Sequence, residues 1–285
     1  MNKNKLIQKI REEFPQIKFK TVKQITGGLD HVVLILDDKY VFRFPKNDYY
    51  KKKIKVEMKL LSKLQKKTSK IPYYKFVPND QSFGGYPLID GEPLSAKKFN
   101  NFTNQQKKQL ANELADFLTA LHKTPISKAK KIGLKFEWSH QDELKQYKER
   151  RKHIIKVLNQ KELCFVDNLM EKYVSLKLPK NCLVHHDLSE DYILAKNNKL
   201  SGIIDFGDSS LNDPAVDFAW FWELGEDFVQ KVYKRYDGRK DEEFLFRSQL
   251  YNIVMCLSWI FHGVVDKKRL WLNRAVKRIR KAVKE

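Results

Sequence analysis

Near residue 90 the spacing of apolar residues changes period, and that change divides the chain into two regions of different architecture. Before it, short β-branched and aromatic runs at 18–26, 31–36, 40–45, 74–78 and 86–89 are punctuated by Gly27-Gly28, Asp37-Asp38 and Gly84-Gly85. One helical pattern interrupts them, from about Tyr50 to Leu64, with Ile54, Met58 and Leu61 on a common face. Leu6, Ile10 and Phe14 mark a further short amphipathic helix at the start. After Gly91-Glu92-Pro93 the helical period dominates. Thr103 caps a long helix with Leu110, Leu114, Phe117, Leu118 and Leu121 inward, and further helices fit 137–158, 162–175, 240–262 and 267–283. Three brief apolar runs, 182–185, 192–195 and 202–204, look like strands set among them. The expectation is an α+β chain of two lobes, a strand-rich one over 1–89 and a mainly helical one over 90–285.

Composition narrows the class. The three cysteines, Cys164, Cys182 and Cys256, form no C-x-x-C pair, which argues against a disulfide framework or a zinc site and suits a reducing cytosol. No apolar leader follows the charged N-terminus, and the most apolar stretch, Tyr251–Val265, is shorter than the ~20 residues of a membrane span. A cytoplasmic protein with no membrane segment is expected. The formal net charge of +21 raises a nucleic-acid reading, but the lysines follow no groove-reading motif. Ten of them fall between Lys46 and Lys70 with only Asp48 and Glu57 in balance, which reads as a solvated surface rather than a nucleic-acid site.

The chemistry concentrates between the helices. Residues 185–194 read His-His-Asp-Leu-Ser-Glu-Asp-Tyr-Ile-Leu, and 202–208 read Gly-Ile-Ile-Asp-Phe-Gly-Asp. Asp187 and Asp205 each end a short apolar run, and a strand-turn-strand between them lets both carboxylates converge on one cleft. Phosphoryl transfer requires two such acids, a base for the acceptor hydroxyl and a ligand for a hard cation. Either aspartate alone reads equally well as a turn residue or helix cap.

The elements H-x-D-L-S-x-x-x-I-L and I-I-D-F-G-D resemble those of the aminoglycoside phosphotransferases and their relatives among choline, homoserine and methylthioribose kinases. The order of the whole chain agrees. The resemblance implies a protein-kinase-like two-lobe fold, Asp187 as catalytic base, Asp205 as magnesium ligand, and ATP or GTP as donor. Arg43, alone in the apolar strand Val41–Phe44, and Glu57, at the edge of a helix face, each require an opposite charge. An Arg43–Glu57 pair resolves both, and the resemblance puts it beside the nucleotide phosphates; a purely structural ion pair is the other reading. Gly27 and Gly28 form a candidate phosphate loop, without a Walker or G-x-G-x-x-G pattern. Tyr86 and Ile89 fall in a stretch, 86–91, that resembles the family hinge, where Pro87 offers only a carbonyl and Ile89 is the candidate donor.

Two positions depart from the family pattern. Tyr192 stands where most relatives carry a metal-binding Asn, and His186 replaces a Gly. A neutral phenol is a poor magnesium ligand, so Asp191 is a candidate to supply the oxygen, and a nucleotide-binding module without turnover stays open.

From Leu200 to Gln230 there is no Lys or Arg, where the average of the chain gives about six. Seven acids occupy the same stretch. Such a patch attracts a polycation. Glu223, Glu226 and Asp227 match substrate-amine positions of 2″-phosphotransferases, and Trp271 offers an aromatic face. The expected substrate is a small polycation, an aminoglycoside modified at 2″; the alternative is another cationic alcohol or sugar. The chain is expected to act as a monomer.

Overall fold

The computed structural model describes residues 2–25, 28–66, 68–136 and 139–284. The first lobe is built on a four-stranded antiparallel sheet in sequential order, β1 (Val22–Ile25), β2 (His31–Leu36), β3 (Tyr40–Pro45) and β4 (Gly84–Pro87). Asp37 and Asp38 both take positive φ, 48° and 49°, giving the tight turn that joins β2 to β3. Helix α1 (Lys3–Glu13) covers one side through Leu6 and Ile10, with Phe42, Phe44, Phe76 and Phe83 completing that core. Helix α2 (Asp48–Leu64), capped by Asn47, lies on the other side and carries Glu57 on its buried face. The run 74–78 pairs only at Phe76 with Gly85 and forms no full strand.

The chain leaves β4 for a short β5 (Glu92–Pro93), which joins β7 (Ile193–Lys196) and β8 (Lys199–Ile203) in a three-stranded sheet. A second small sheet pairs β6 (Cys182–Val184) with β9 (Ser210–Asn212). Asn197 and Asn198, at φ 51° and 58°, close the β7–β8 hairpin.

Around these strands stand α3 (Ala96–Asn100), α4 (Asn104–His122), α5 (Ile126–Lys131), α6 (His140–Ile154), α7 (Gln160–Ser175), α8 (Glu226–Arg235), α9 (Phe244–Val265) and α10 (Arg269–Ala282). Thr103 caps α4 with a reciprocal bond from Gln106. Pro214–Leu224 is a 3-10 segment that sequence periodicity does not announce. Among the described residues α9 is long and apolar enough to span a membrane by length and composition, but 61% of that window is buried inside the protein. It starts several residues before the run at 251–265, and packing against α10 and the 3-10 segment accounts for its apolar faces.

Candidate active site

Strand β6 delivers the chain to His185, His186 and Asp187. There the fully buried Asp217 carboxylate accepts the backbone N–H of His185 at 2.8 Å and of His186 at 2.7 Å. His122 Nε2 lies 3.0 Å from the same carboxylate. Two amides fixed by one side chain hold His186 at φ 75°, a left-handed conformation that costs a non-glycine residue ~1–3 kcal/mol. Its ring Nδ1 is 2.9 Å from Ser210 Oγ on β9. His185 Nε2 lies 3.1 Å from the Ile204 carbonyl, and its ring packs on Phe206 at 4.6 Å. The loop bearing Asp187 is thereby tied to the turn bearing Asp205. Burial, then Asp208, Asp205, Asp191 and Asp30, push the Asp187 carboxyl well above the usual carboxylate range.

Asp205 also adopts left-handed backbone, φ 64° and ψ 68°, which turns its side chain toward the first lobe. Arg43 Nη2 donates to its Oδ1 at 2.6 Å, while Nη1 donates to Glu57 Oε1 at 2.5 Å. Both Arg43 and Glu57 are buried, so each supplies the counter-charge that makes burial of the other tolerable. Burial pushes the Asp205 carboxyl up, but Arg43, His31 and His185 outweigh it and hold it below the ordinary value. Lys53 on α2 donates to Asp208 Oδ1 at 2.7 Å, a second charge contact between the lobes.

Two cavities carry these carboxylates on their walls. An apolar slot of about 230 Å³ lies between the four-stranded sheet and the β7–β8 region, lined by Val33, Ile35, Val41, Tyr86, Ile89, Leu194 and Ile204, with Arg43 and Asp205 on its wall. The Leu88 N–H is taken by the Lys39 carbonyl at 2.8 Å. On the other side a cleft of about 380 Å³ is lined by Asp30, Lys53, Asp187, Asp208 and Glu143, and by Tyr173, Trp220, Tyr251, Trp259 and Trp271. Trp220 stacks on Trp259 at 4.6 Å, and Trp259 on Trp271 at 6.2 Å. An apolar slot carrying Asp205, with a polar, aromatic cleft carrying Asp187, suits a planar base in the one and a hydrophilic acceptor in the other.

The remaining residues singled out by sequence scatter. Gly27 lies outside the described residues, and the Gly28 carbonyl accepts from the Lys46 ammonium group. Tyr86 is buried edge-on against Tyr74 at 5.1 Å. Tyr192 is half-buried, and burial with Asp187 and Asp205 keeps its phenol protonated far above the normal range. Asp191 accepts from Arg274 Nη1 at 2.8 Å. Glu223 is 2.8 Å from Arg278 Nε and lines a separate cavity of about 490 Å³ with residues of α7, α9 and α10. Glu226 and Asp227 are exposed in the first turn of α8, Asp227 3.4 Å from Lys231. Of these acids and Trp271, only Trp271 joins Asp187 on the cleft wall. Sequence reasoning missed Asp30, Lys53, Glu143, Trp220 and Trp259. Asp30 was within reach, three residues after the Gly27-Gly28 loop begins, whereas nothing local in the sequence of α6 sets Glu143 apart from its neighbours.

Among the described residues no group of three or more His, Cys, Asp or Glu could hold a metal ion by itself. The single Asp205 carboxylate on the slot wall fits magnesium, which binds through one or two carboxylates with phosphates and water completing the shell. The unbalanced negative field at Asp187 is the feature such a cation would offset.

Residues 21–246 match the family described as phosphotransferase enzyme family, APH. Among solved structures, the GDP and kanamycin complex of APH(2″)-IIIa superposes with a TM-score of 0.86 at 22% identity, over 98% of each chain. The gentamicin complex of APH(2″)-IIa gives 0.75 at 24%, covering 98% of this chain and 96% of that one. A macrolide 2′-phosphotransferase type I gives 0.72 at 20%, over 98% of each. The α+β, two-lobe architecture is that of these phosphotransferases.

Proposed function

We propose, from the premise that this chain belongs to the phosphotransferase enzyme family, that it moves the γ-phosphoryl group of ATP or GTP to the 2″-hydroxyl of an aminoglycoside. The observation that carries this reading is the placement of Asp205 on the slot wall and Asp187 on the cleft wall, close enough for the one charge to act on the other. Relatives of the same architecture, solved with kanamycin or gentamicin, support the choice of acceptor.

In this reading the base lies in the apolar slot, and Arg43, steadied by Glu57, directs its guanidinium to the phosphates. Asp187 accepts the proton of the attacking hydroxyl; burial and then the surrounding carboxylates hold a proton on it in the free protein, and a bound cation would loosen that hold and free the carboxylate to act as base. Magnesium would be held by Asp205 and would neutralise charge on the phosphates. Tyr192 offers only a neutral oxygen there. The stacked indoles hold the acceptor rings away from water.

The test is incubation with ATP or GTP and a panel of kanamycin, gentamicin, choline and neutral sugars, read by mass spectrometry. Kanamycin or gentamicin should gain one phosphoryl group, and Asp187→Asn should abolish the gain. Transfer to choline or sugars alone would replace the acceptor, and no transfer with either nucleotide would remove the enzymatic reading.

A further inference from the structure

Of the acids singled out by sequence, Asp191 already holds the cation of Arg274, Glu223 that of Arg278 and Asp227 that of Lys231, while Glu226 is exposed on α8 and off the cleft wall. A polycation entering the cleft must find its negative partner elsewhere. On the cleft wall Asp208 is bonded to Lys53, and Asp30 is hydrogen-bonded by Tyr50. Asp187 is required for the chemistry. That leaves Glu143, on α6, whose side chain makes no hydrogen bond and no ion pair among the described residues. Arg150, further along the same helix, is the cation acting on it through space, and that guanidinium sits over the Phe261 ring at 4.8 Å.

The neighbourhood of Glu143 is built for a cation. Tyr173 and Tyr251 line the same cleft, and their rings meet edge-on at 5.7 Å. Tyr251 is pinned by its hydroxyl, 3.1 Å from Asp213 Oδ2, and Tyr173 by the His140 ring at 4.0 Å. Fixed phenol faces attract ammonium groups, and a carboxylate drawn out of bulk water binds them more firmly than an exposed one. Burial raises the Glu143 carboxyl, a cost that an incoming cation would relieve.

We infer that Glu143 determines acceptor specificity by binding one ammonium group of the substrate, with Tyr173 and Tyr251 as its aromatic surround. The inference rests on the reading of the cleft as an aminoglycoside site and adds the residue that recognises charge. Glu143 touches no reacting atom. Its role is to hold the acceptor so that a hydroxyl reaches Asp187.

The experiment is calorimetric titration of the full chain with kanamycin and, separately, with nucleotide, followed by monodeamino kanamycin analogues bearing hydroxyl in place of each amine. Glu143→Gln, nearly isosteric, should weaken kanamycin binding about 10- to 100-fold and leave nucleotide affinity unchanged. One analogue should show a comparable loss on the wild type and no further loss on Glu143→Gln. Arg150→Met, which removes the competing cation, should tighten kanamycin binding about threefold. Kanamycin affinity within about twofold of wild type in Glu143→Gln, or deamination losses identical in both proteins, overturns the inference while the proposed function stands. A wild type that binds nucleotide but no aminoglycoside overturns both.

Discussion

The two sides of the Asp187–Asp205 line handle charge in opposite ways. On the nucleotide side Arg43 and Glu57 are only 14 residues apart and neutralise each other inside one lobe, with Asp205 joining from the second. On the acceptor side the partners are remote in sequence: Asp191 meets Arg274 at a separation of 83 residues, and Glu223 meets Arg278 across the same junction with α10. One side is closed electrically within a strand and a helix. The other is assembled from α6, the catalytic loop and α10, and it keeps one carboxylate of α6 uncommitted. Counting acids in a stretch of sequence therefore finds a charged region but not the members of it that are available to a ligand.

Removing a group that contacts reacting atoms gives the largest expected effect. Asp187→Asn should lower phosphoryl transfer by about 10²–10⁴-fold while nucleotide binding, measured by titration, is retained. Equal loss of nucleotide binding would mean the aspartate shapes the loop instead. On the closed side, Arg43→Ala strands the buried Glu57 carboxylate and should cost about 3–5 kcal/mol in urea unfolding. The double variant Arg43→Met with Glu57→Leu should recover most of that stability yet bind triphosphate poorly. Recovery of both would reduce the pair to a structural one.

The open side should respond to pH. Burial first, then Asp208, raises the Asp30 carboxyl from 3.8 to about 6, so the folded state holds its proton more tightly than the unfolded chain. Its contribution to stability is complete below pH 3.8 and is lost as pH climbs to about 6. Asp30→Asn should flatten the thermal midpoint across that window and raise it at neutral pH, as read by differential scanning. The smallest effect belongs to α8: Glu226→Gln with Asp227→Asn should leave kanamycin KM within about twofold, as exposed charges do. A rise in KM matching that of Glu143→Gln would move amine recognition from α6 to α8.

Much of the fold was legible because periodicity and turn chemistry act locally. β2 and β3 fall on the runs 31–36 and 40–45, and Thr103 caps α4 as its spacing with Gln106 requires. The segment 214–224 was hidden because Phe218, Ala219, Trp220 and Phe221 are all buried, leaving no polar face to mark a period. At the site, Arg43 and Glu57 announced each other as unpaired charges in apolar settings. Trp220 and Trp259 did not, since an indole in a buried helix reads as core until the tertiary arrangement opens one edge to a cleft.

The fastening of α10 has an evolutionary corollary. Trp271 and Arg274 belong to a segment some eighty residues away from the loop that carries Asp187. Change within 269–282 therefore acts in two ways, at the cleft wall through Trp271 and on the catalytic loop through the Arg274–Asp191 pair. Diversification of such a catalyst is thus expected to retain Arg274 while varying Trp271 on that outer helix and the α6 residues that face the same cleft.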